Sequence, residues 1–293
     1  MPSLDQLLQY LFSGLTLGAI YALIALALVM TYNITGILNM AQGEFVALGA
    51  LTACSLYTAG LPALLCFFLA VLVTAAVGGL VERLAINPAR DASPLSLIII
   101  TIGVSISLRG LALLIWGTDP HSLPAFTRGG PLQVLGAAVN TQSLWIFGLV
   151  VVTVAGLFAF MERTYWGKAV RACVVNRTAA RLMGINPYLL SFLAFIASGA
   201  MGAAAGIFIT PVTLATYDMG FMLGLKGFVA AVLGGINNIG GAIVGGFLLG
   251  LLEIFGAGLV SSGFKDAVAM IVLIAVLLVR PEGILGMVTG RKV

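Results

Sequence analysis

Charge is what this 293-residue chain lacks most: 8% of its residues are Asp, Glu, Lys or Arg, against about a quarter in a soluble domain. No charged residue lies between Asp5 and Glu44, Glu44 and Glu82, Arg128 and Glu162, or Arg181 and Asp218. These gaps leave uncharged runs of 38, 37, 33 and 36 residues. Each exceeds the roughly 20 apolar residues that cross a hydrocarbon core. Histidine is nearly absent: His121 stands alone in a loop, without partners at metal-ligand spacing. The three cysteines, Cys54, Cys66 and Cys173, form no CxxC pair and read as small hydrophobes. No nucleophile, base and orienting group occur together, and no GxxxxGK[ST] phosphate loop is present. A soluble enzyme, a nucleic-acid binder and a disulfide scaffold are thereby excluded, and His121 reads as a solvated loop residue rather than a metal ligand. The first ten residues contain no Lys or Arg, so they lack the basic start of a signal peptide and read as a retained first helix.

What remains is hydrophobic for 61% of its length, with a mean hydropathy of +1.15. Such a chain is all-α: a polytopic integral membrane protein of about 8–9 transmembrane helices, with interrupted or re-entrant segments, forming a single transmembrane domain over residues 1–293. Breaks at Pro, Gly, Asn and charge place nine stretches near 7–32, 41–59, 62–81, 95–116, 144–161, 188–209, 221–235, 241–260 and 267–280. If the spans alternate sides, Arg83, Arg90, Arg163, Lys168, Arg171, Arg177, Arg181, Arg280, Arg291 and Lys292 share one side. Arg128 and Lys265 take the other. The bias puts the basic side in the cytoplasm, with the C-terminus inside and the N-terminus outside. It also accounts for a pI near 9.1 without any nucleic-acid partner.

Glycine numbers 37, about 13% of the chain against roughly 7% in average proteins. It recurs four residues apart at Gly14/Gly18, Gly202/Gly206, Gly220/Gly224, Gly241/Gly245 and Gly246/Gly250. Small residues at that spacing let helix backbones approach in lipid, which points first to packing within the chain. Two Asn/Gly-rich stretches, 33–44 and 234–241, read as helix interruptions. Their amides, Asn33, Asn39, Gln42, Asn237 and Asn238, are candidate lining for a substrate pathway, with helix-end hydrogen bonding as the competing role. Glu44, Arg109, Lys226 and Glu253 are charges within or near spans, where a central charge costs roughly 2.5–3.5 kcal/mol. They are expected to pair, as Arg109 or Lys226 with Glu253, or to meet water.

The long basic loop holds the most specific signal. Thr178-Ala179-Ala180-Arg181-Leu182-Met183-Gly184-Ile185-Asn186-Pro187 predicts a short helix stopped by Gly184, with Pro187 opening the next span. Ala179, Ala180 and Gly184 resemble the E-A-A-x-x-x-G motif of ABC importer permeases, with Thr178 in place of the glutamate and no downstream I-x-L-P. Further stretches are similar to the branched-chain amino acid (LivH-type) permease family. They are Gly14 to Leu23, Gly36-Ile37-Leu38-Asn39-Met40-Ala41-Gln42-Gly43-Glu44-Phe45, Leu182 to Asn186, Lys226 to Gly235 and Arg280 to Gly286, in order along the whole chain.

That resemblance implies a permease subunit of an ATP-driven importer in a bacterial inner membrane, moving branched-chain or related neutral amino acids; urea and short-amide importers look alike in the same stretches. It implies a second homologous permease, two cytoplasmic ATPase subunits and a periplasmic substrate-binding protein as partners, besides membrane lipid. ATP and Mg would be bound by the ATPases and no cofactor by this chain. Thr178, Ala179, Ala180, Arg181 and Gly184 would form the ATPase-docking helix. The competing class is an ion-coupled secondary transporter, for which Glu44 and Glu253 are the serious acidic candidates. A proton or sodium relay usually shows more acidic groups deep in the bundle, and an intramembrane enzyme lacks its catalytic set.

Overall fold

A computed structural model describes residues 3–286 except 128, 129, 135 and 260; Arg128, Arg291 and Lys292 of the charge tally lie outside the described residues. Helices occupy all nine expected stretches: α1 (Leu4–Thr35), α2 (Gln42–Thr58), α3 (Ala63–Val81), α4 (Pro94–Trp116), α5 (Thr141–Arg163), α8 (Pro187–Thr213), α9 (Met219–Gly234), α10 (Ile239–Leu259) and α11 (Lys265–Val279). Two short helices, α6 (Tyr165–Val175) and α7 (Arg177–Leu182), form the basic loop. A π-turn, Glu82–Ile86, prolongs α3. A hairpin of β1 (Leu132–Val134) and β2 (Ala137–Val139) precedes α5.

Local chemistry sets these ends. Ser3 and Gln6 make a reciprocal capping box on α1, and Ser93 and Asn186 cap α4 and α8, each followed by proline at the first helical position. Gly36 ends α1 at φ 74°, a left-handed conformation that suits glycine. Six helices among the described residues, α1, α3, α4, α5, α8 and α10, are long and apolar enough to cross a membrane. The other three have 17, 16 and 15 residues. At 1.5 Å per residue they rise about 25 Å or less, short of a ~30 Å core. Before α2 and α9 the chain leaves helical form and folds back among its neighbours, as where buried Ala215 pairs its backbone with His121.

α1 is the axis of the bundle. Ala19 to Val29 are fully buried, and 72% of the most apolar stretch of α1 is buried, against 17% for α4 and for α5. The outer faces of α3, α4, α5 and α11 instead expose Leu72, Ile99, Leu114, Val152 and Leu278, a belt suited to lipid. Without a hydrophobic force between helices in lipid, close packing must hold them together, and all five glycine pairs are spent on it. Gly14 and Gly18 meet Leu251 and Phe247, while Gly246 and Gly250 meet Ala22 and Gly18, so α1 and α10 cross antiparallel with backbones touching. Gly202 and Gly206 receive Phe45 and Val46 of α2; Gly220 and Gly224 of α9 receive Gly43. Gly241 and Gly245 of α10 lie against Gly234 and Ala230 of α9.

A side chain at the α1–α10 crossing has nowhere to go: a Cβ on Gly18 would lie 2.8 Å from the Phe247 Cα. Gly18→Leu is expected to destabilise the subunit by about 1–3 kcal/mol or more, read as a lower midpoint of thermal aggregation in detergent. Gly156→Ala on the lipid side of α5, where a Cβ meets nothing within 4 Å, should leave that midpoint unchanged or slightly raised.

Candidate functional site

The break between α1 and α2 is a genuine excursion into the bundle. From exposed Gly36 the chain turns back, and by Asn39 and Gln42 it is buried. Irregular backbone at membrane depth must find partners in protein, and here side chains supply them. Thr35 Oγ1 accepts from the Ile37 N–H at 3.0 Å. Thr101 Oγ1 accepts from the Met40 N–H at 3.2 Å and faces the Leu38 carbonyl at 3.2 Å. Asn39 Oδ1 accepts from the Ala41 N–H at 3.1 Å. Gln42 anchors the start of α2 to α8: its amide nitrogen donates to the Ser198 carbonyl at 3.2 Å, and its oxygen accepts from the Ser198 hydroxyl.

Glu44 follows, buried, its Oε1 accepting from Ser105 Oγ at 2.8 Å. Thr101, Ser105 and Arg109 lie four residues apart on α4 and so share one helix face. The Arg109 guanidinium sits 5.0 Å from the Phe221 ring centre, a cation–π distance. Between this face and α9 is a cavity of about 220 Å3, walled by Ile102, Ile106, Leu225 and Phe228 and reached by Asn39, Ser105 and Arg109. Neither Thr101 nor Ser105 was among the candidates from sequence; three polar residues recurring every fourth position in an apolar run, Thr101, Ser105 and Arg109, were the available signal.

The second Asn/Gly stretch differs. Rather than an interruption at depth, 234–241 is the turn between α9 and α10, closed by the segment after α11. Ile284 and Leu285 donate their N–H groups to the carbonyls of Leu233 and Gly234 at 2.8 and 3.0 Å. Asn238 donates to the Leu285 carbonyl at 2.8 Å and accepts from the Gly241 N–H at 3.2 Å. Asn33 donates to the Asn237 carbonyl at 3.4 Å, and the Asn237 side chain is exposed. The two stretches therefore touch at one end of the bundle, where Asn33 and Asn238 act as structural ties. Glycine packing at Gly234 and Gly241, not a cavity, explains their composition there.

Of the two partners the sequence offered for Glu253, Arg109 and Lys226, the structure pairs Lys226 with it. Buried Lys226 lies 2.8 Å from Glu253 Oε1 and 2.7 Å from Asp266 Oδ1. Tyr21 donates its hydroxyl to Glu253 Oε2 at 2.8 Å, and Lys265 approaches the same carboxylate at 3.5 Å. This network ties α1, α9, α10 and α11. His121 is held in its loop by the Ala215 backbone, with Nε2 3.3 Å from the Trp116 carbonyl.

At the end of the bundle that carries Thr35, the basic loop folds into α6 and α7. Asn176 Oδ1 caps α7, accepting from Thr178 and Ala179 N–H at 3.1 and 3.0 Å. Gly184 closes it at φ 84°. Ala180 faces inward against Met30, Ile34 and Leu190, whereas Thr178, Ala179, Arg181 and Gly184 are exposed. The most prominent exposed groups are Leu182 and Met183 at 84% and 83%, an apolar pair that the motif residues alone did not single out. Arg177 donates to the Thr35 carbonyl at 3.4 Å, directly before the α1–α2 break. Tyr188 lies between the guanidinium groups of Arg90 and Arg181, 4.6 and 5.5 Å from its ring centre, beside a cavity of about 350 Å3.

A glycine-packed helical bundle with a buried helix break and an exposed helical tip at one end is the architecture of a membrane transport subunit. A solved chain of PsaBC from Streptococcus pneumoniae, in complex with a Fab, shares the fold with a TM-score of 0.54 over 93% of this chain and 92% of that one, at 14% identity. The model for the branched-chain amino acid transport system permease component matches residues 10–278, and the chain belongs to that family. It is 36% identical to the high-affinity branched-chain amino acid transport permease BraD of Pseudomonas aeruginosa, covering 100% of both chains. It is also 36% identical to the corresponding LivH protein of Escherichia coli, over 98% of this chain and 97% of the relative. The chain is thus a transport subunit, not the subunit that hydrolyses ATP.

Breaking the buried ion network should be costly. Glu253→Ala leaves Lys226 buried without its inner carboxylate and is expected to destabilise the subunit by about 3–5 kcal/mol. Combining Lys226→Met with Glu253→Leu should recover most of that loss, measured as detergent thermal stability of the single and double variants.

Proposed function

We propose that this chain forms half of the translocation pathway of an ATP-driven importer for branched-chain or related neutral amino acids, residues 1–293 acting as one permease domain. The observation that carries the reading is the conjunction of α7, an exposed apolar-tipped helix, with the adjoining break at residues 36–41. The full-length likeness to branched-chain amino acid permeases supports the substrate class. A second homologous permease supplies the other half, a periplasmic binding protein delivers substrate, and two cytoplasmic ATPases, holding ATP and Mg, dock on the 162–187 loop. The clustering of Arg83, Arg90, Arg177 and Arg181 around one end of the bundle supports a cytoplasmic placement for that end, in a bacterial inner membrane, with the N-terminus outside and the C-terminus inside.

The mechanism follows from the ties of α7. Thr178, Ala179, Arg181 and Gly184, with Leu182 and Met183, face the ATPase, while Ala180 and Arg177 hold the helix to α1. Movement of the ATPase displaces α7, and Arg177 passes that displacement to Thr35 and so to the buried break. Of the five candidate amides, Asn39 and Gln42 lie on the moving segment and belong to the pathway or its hinge; Asn33, Asn237 and Asn238 brace the α9–α10 turn. Glu44 and Arg109 border the pathway, whereas Lys226 and Glu253 hold the bundle together.

Gly184→Val places a β-branched residue at φ 84°, a conformation it adopts only under strain. In the reconstituted importer this variant is expected to keep ATP hydrolysis while uptake falls at least several-fold. Normally coupled uptake would argue against α7 as the transmission element. Uptake by the chain alone, driven by a proton or sodium gradient in proteoliposomes, would favour the secondary-transporter class instead.

A further inference from the structure

The pathway reading leaves one polar group without employment. Asn39 is fully buried, its Oδ1 is engaged by the Ala41 N–H, and its Nδ2 has no hydrogen-bond partner among the described residues. A buried donor left unmade costs about 1–3 kcal/mol, so its retention calls for an acceptor brought from outside. Asn39 borders the cavity of about 220 Å3 between α4 and α9, and so does Arg109. Arg109 makes no salt bridge among the described residues; its described contact is the Phe221 ring. It lies fifteen residues into α4, about 22 Å from Pro94, within the span of that helix. A cation so placed needs a counter-charge or water; Glu44 is near enough to act on it electrostatically, without a direct ion pair, and the half-buried guanidinium stays open to a further anion.

One buried amide donor without a partner and one half-buried guanidinium thus border the same small chamber. Ser105 stands between them, with its hydroxyl already given to Glu44. The remaining walls are aliphatic and aromatic: Ile102, Ile106, Leu225 and Phe228. The cavity is smaller than the roughly 300–1,000 Å3 of drug-sized ligand sites. Its outer side is open, since Ile102 and Ile106 are exposed and a Cβ on Gly103 or Gly110 would meet nothing within 4 Å. Donors at one side and an apolar wall at the other select a small molecule with a carboxylate and an aliphatic tail.

We infer that the α4–α9 cavity is a transit site within the membrane, in which Asn39 and Arg109 take the carboxylate of a neutral aliphatic amino acid while Ile102, Ile106, Leu225 and Phe228 receive its side chain. This site rests on the importer reading above, and adds to it which face of the subunit the substrate crosses and which groups discriminate it. Sugars and polyols can offer hydroxyl oxygens to these donors but no negative charge to Arg109.

The test is leucine uptake by the complete reconstituted importer, with receptor-stimulated ATP hydrolysis measured in parallel. If the unaltered complex carries no leucine, the importer reading itself fails. Given uptake by the unaltered complex, Asn39→Leu and Arg109→Gln are each expected to lower the maximal rate of leucine uptake at least tenfold. Receptor-stimulated hydrolysis should stay within twofold, and Arg109→Lys should restore part of the uptake. Ile106→Trp, which fills the cavity from its exposed wall and leaves the core untouched, should cause the same loss of uptake with hydrolysis retained. Uptake within twofold of the unaltered rate in Arg109→Gln and Ile106→Trp would overturn the site. So would a parallel fall of hydrolysis and uptake, which marks a coupling defect, or failure of the Ile106→Trp subunit to assemble, which marks the cavity as filled by the partner permease.

Discussion

Inside a bilayer the peptide groups of residues 37–41 have no water to turn to, and the arrangement of the surrounding helices answers that constraint. Thr35, Thr101 and Asn39 each satisfy a backbone group of the segment, and Gln42 pins its far end to Ser198. Because these partners come from α1, α4 and α8, the break can exist only in the assembled bundle. Its conformation is therefore tied to how those helices sit, which makes it a natural place for a conformational change to act.

Two kinds of contact hold the frame around this segment. The glycine crossings of α1 with α10, α2 with α8 and α9, and α9 with α10 bring backbones together without side-chain rotamers to reorder. The Tyr21–Glu253–Lys226–Asp266 network adds a polar clamp on the same group of helices. α4 belongs to neither system. It is largely exposed, it carries the Thr101–Ser105–Arg109 face, and it meets the break through hydrogen bonds and through the apolar cluster that Leu97 shares with Ile37.

Much of this was legible from residue order. The charge-free runs delimit the helices, Asn186-Pro187 and Ser93-Pro94 mark where α8 and α4 begin, and the five glycine pairs announce close packing. That Glu253 pairs was expected because a lone buried charge is too costly to leave unpaired, but the choice of Lys226 over Arg109 came from the structure. The two Asn/Gly stretches, by contrast, look alike on paper. One is a buried excursion and the other a turn at the bundle end, and what separates them is whether the tail at 284–285 or a neighbouring helix supplies the missing hydrogen bonds. Thr101 and Ser105 escaped notice because single hydroxyls in an apolar helix usually bond their own backbone.

The sequence by itself determined the membrane as solvent, the position of nearly every helix, the charged end of the bundle and the family, since these follow from local composition and spacing. Tertiary structure alone decided that α2, α9 and α11 are short, that Ala180 faces inward while Leu182 and Met183 face out, and that Asn39 keeps an unanswered donor beside Arg109. Those outcomes depend on which groups distant segments bring into reach, and hydrogen bonds and close contacts act over a few ångströms in space, whatever the separation along the chain.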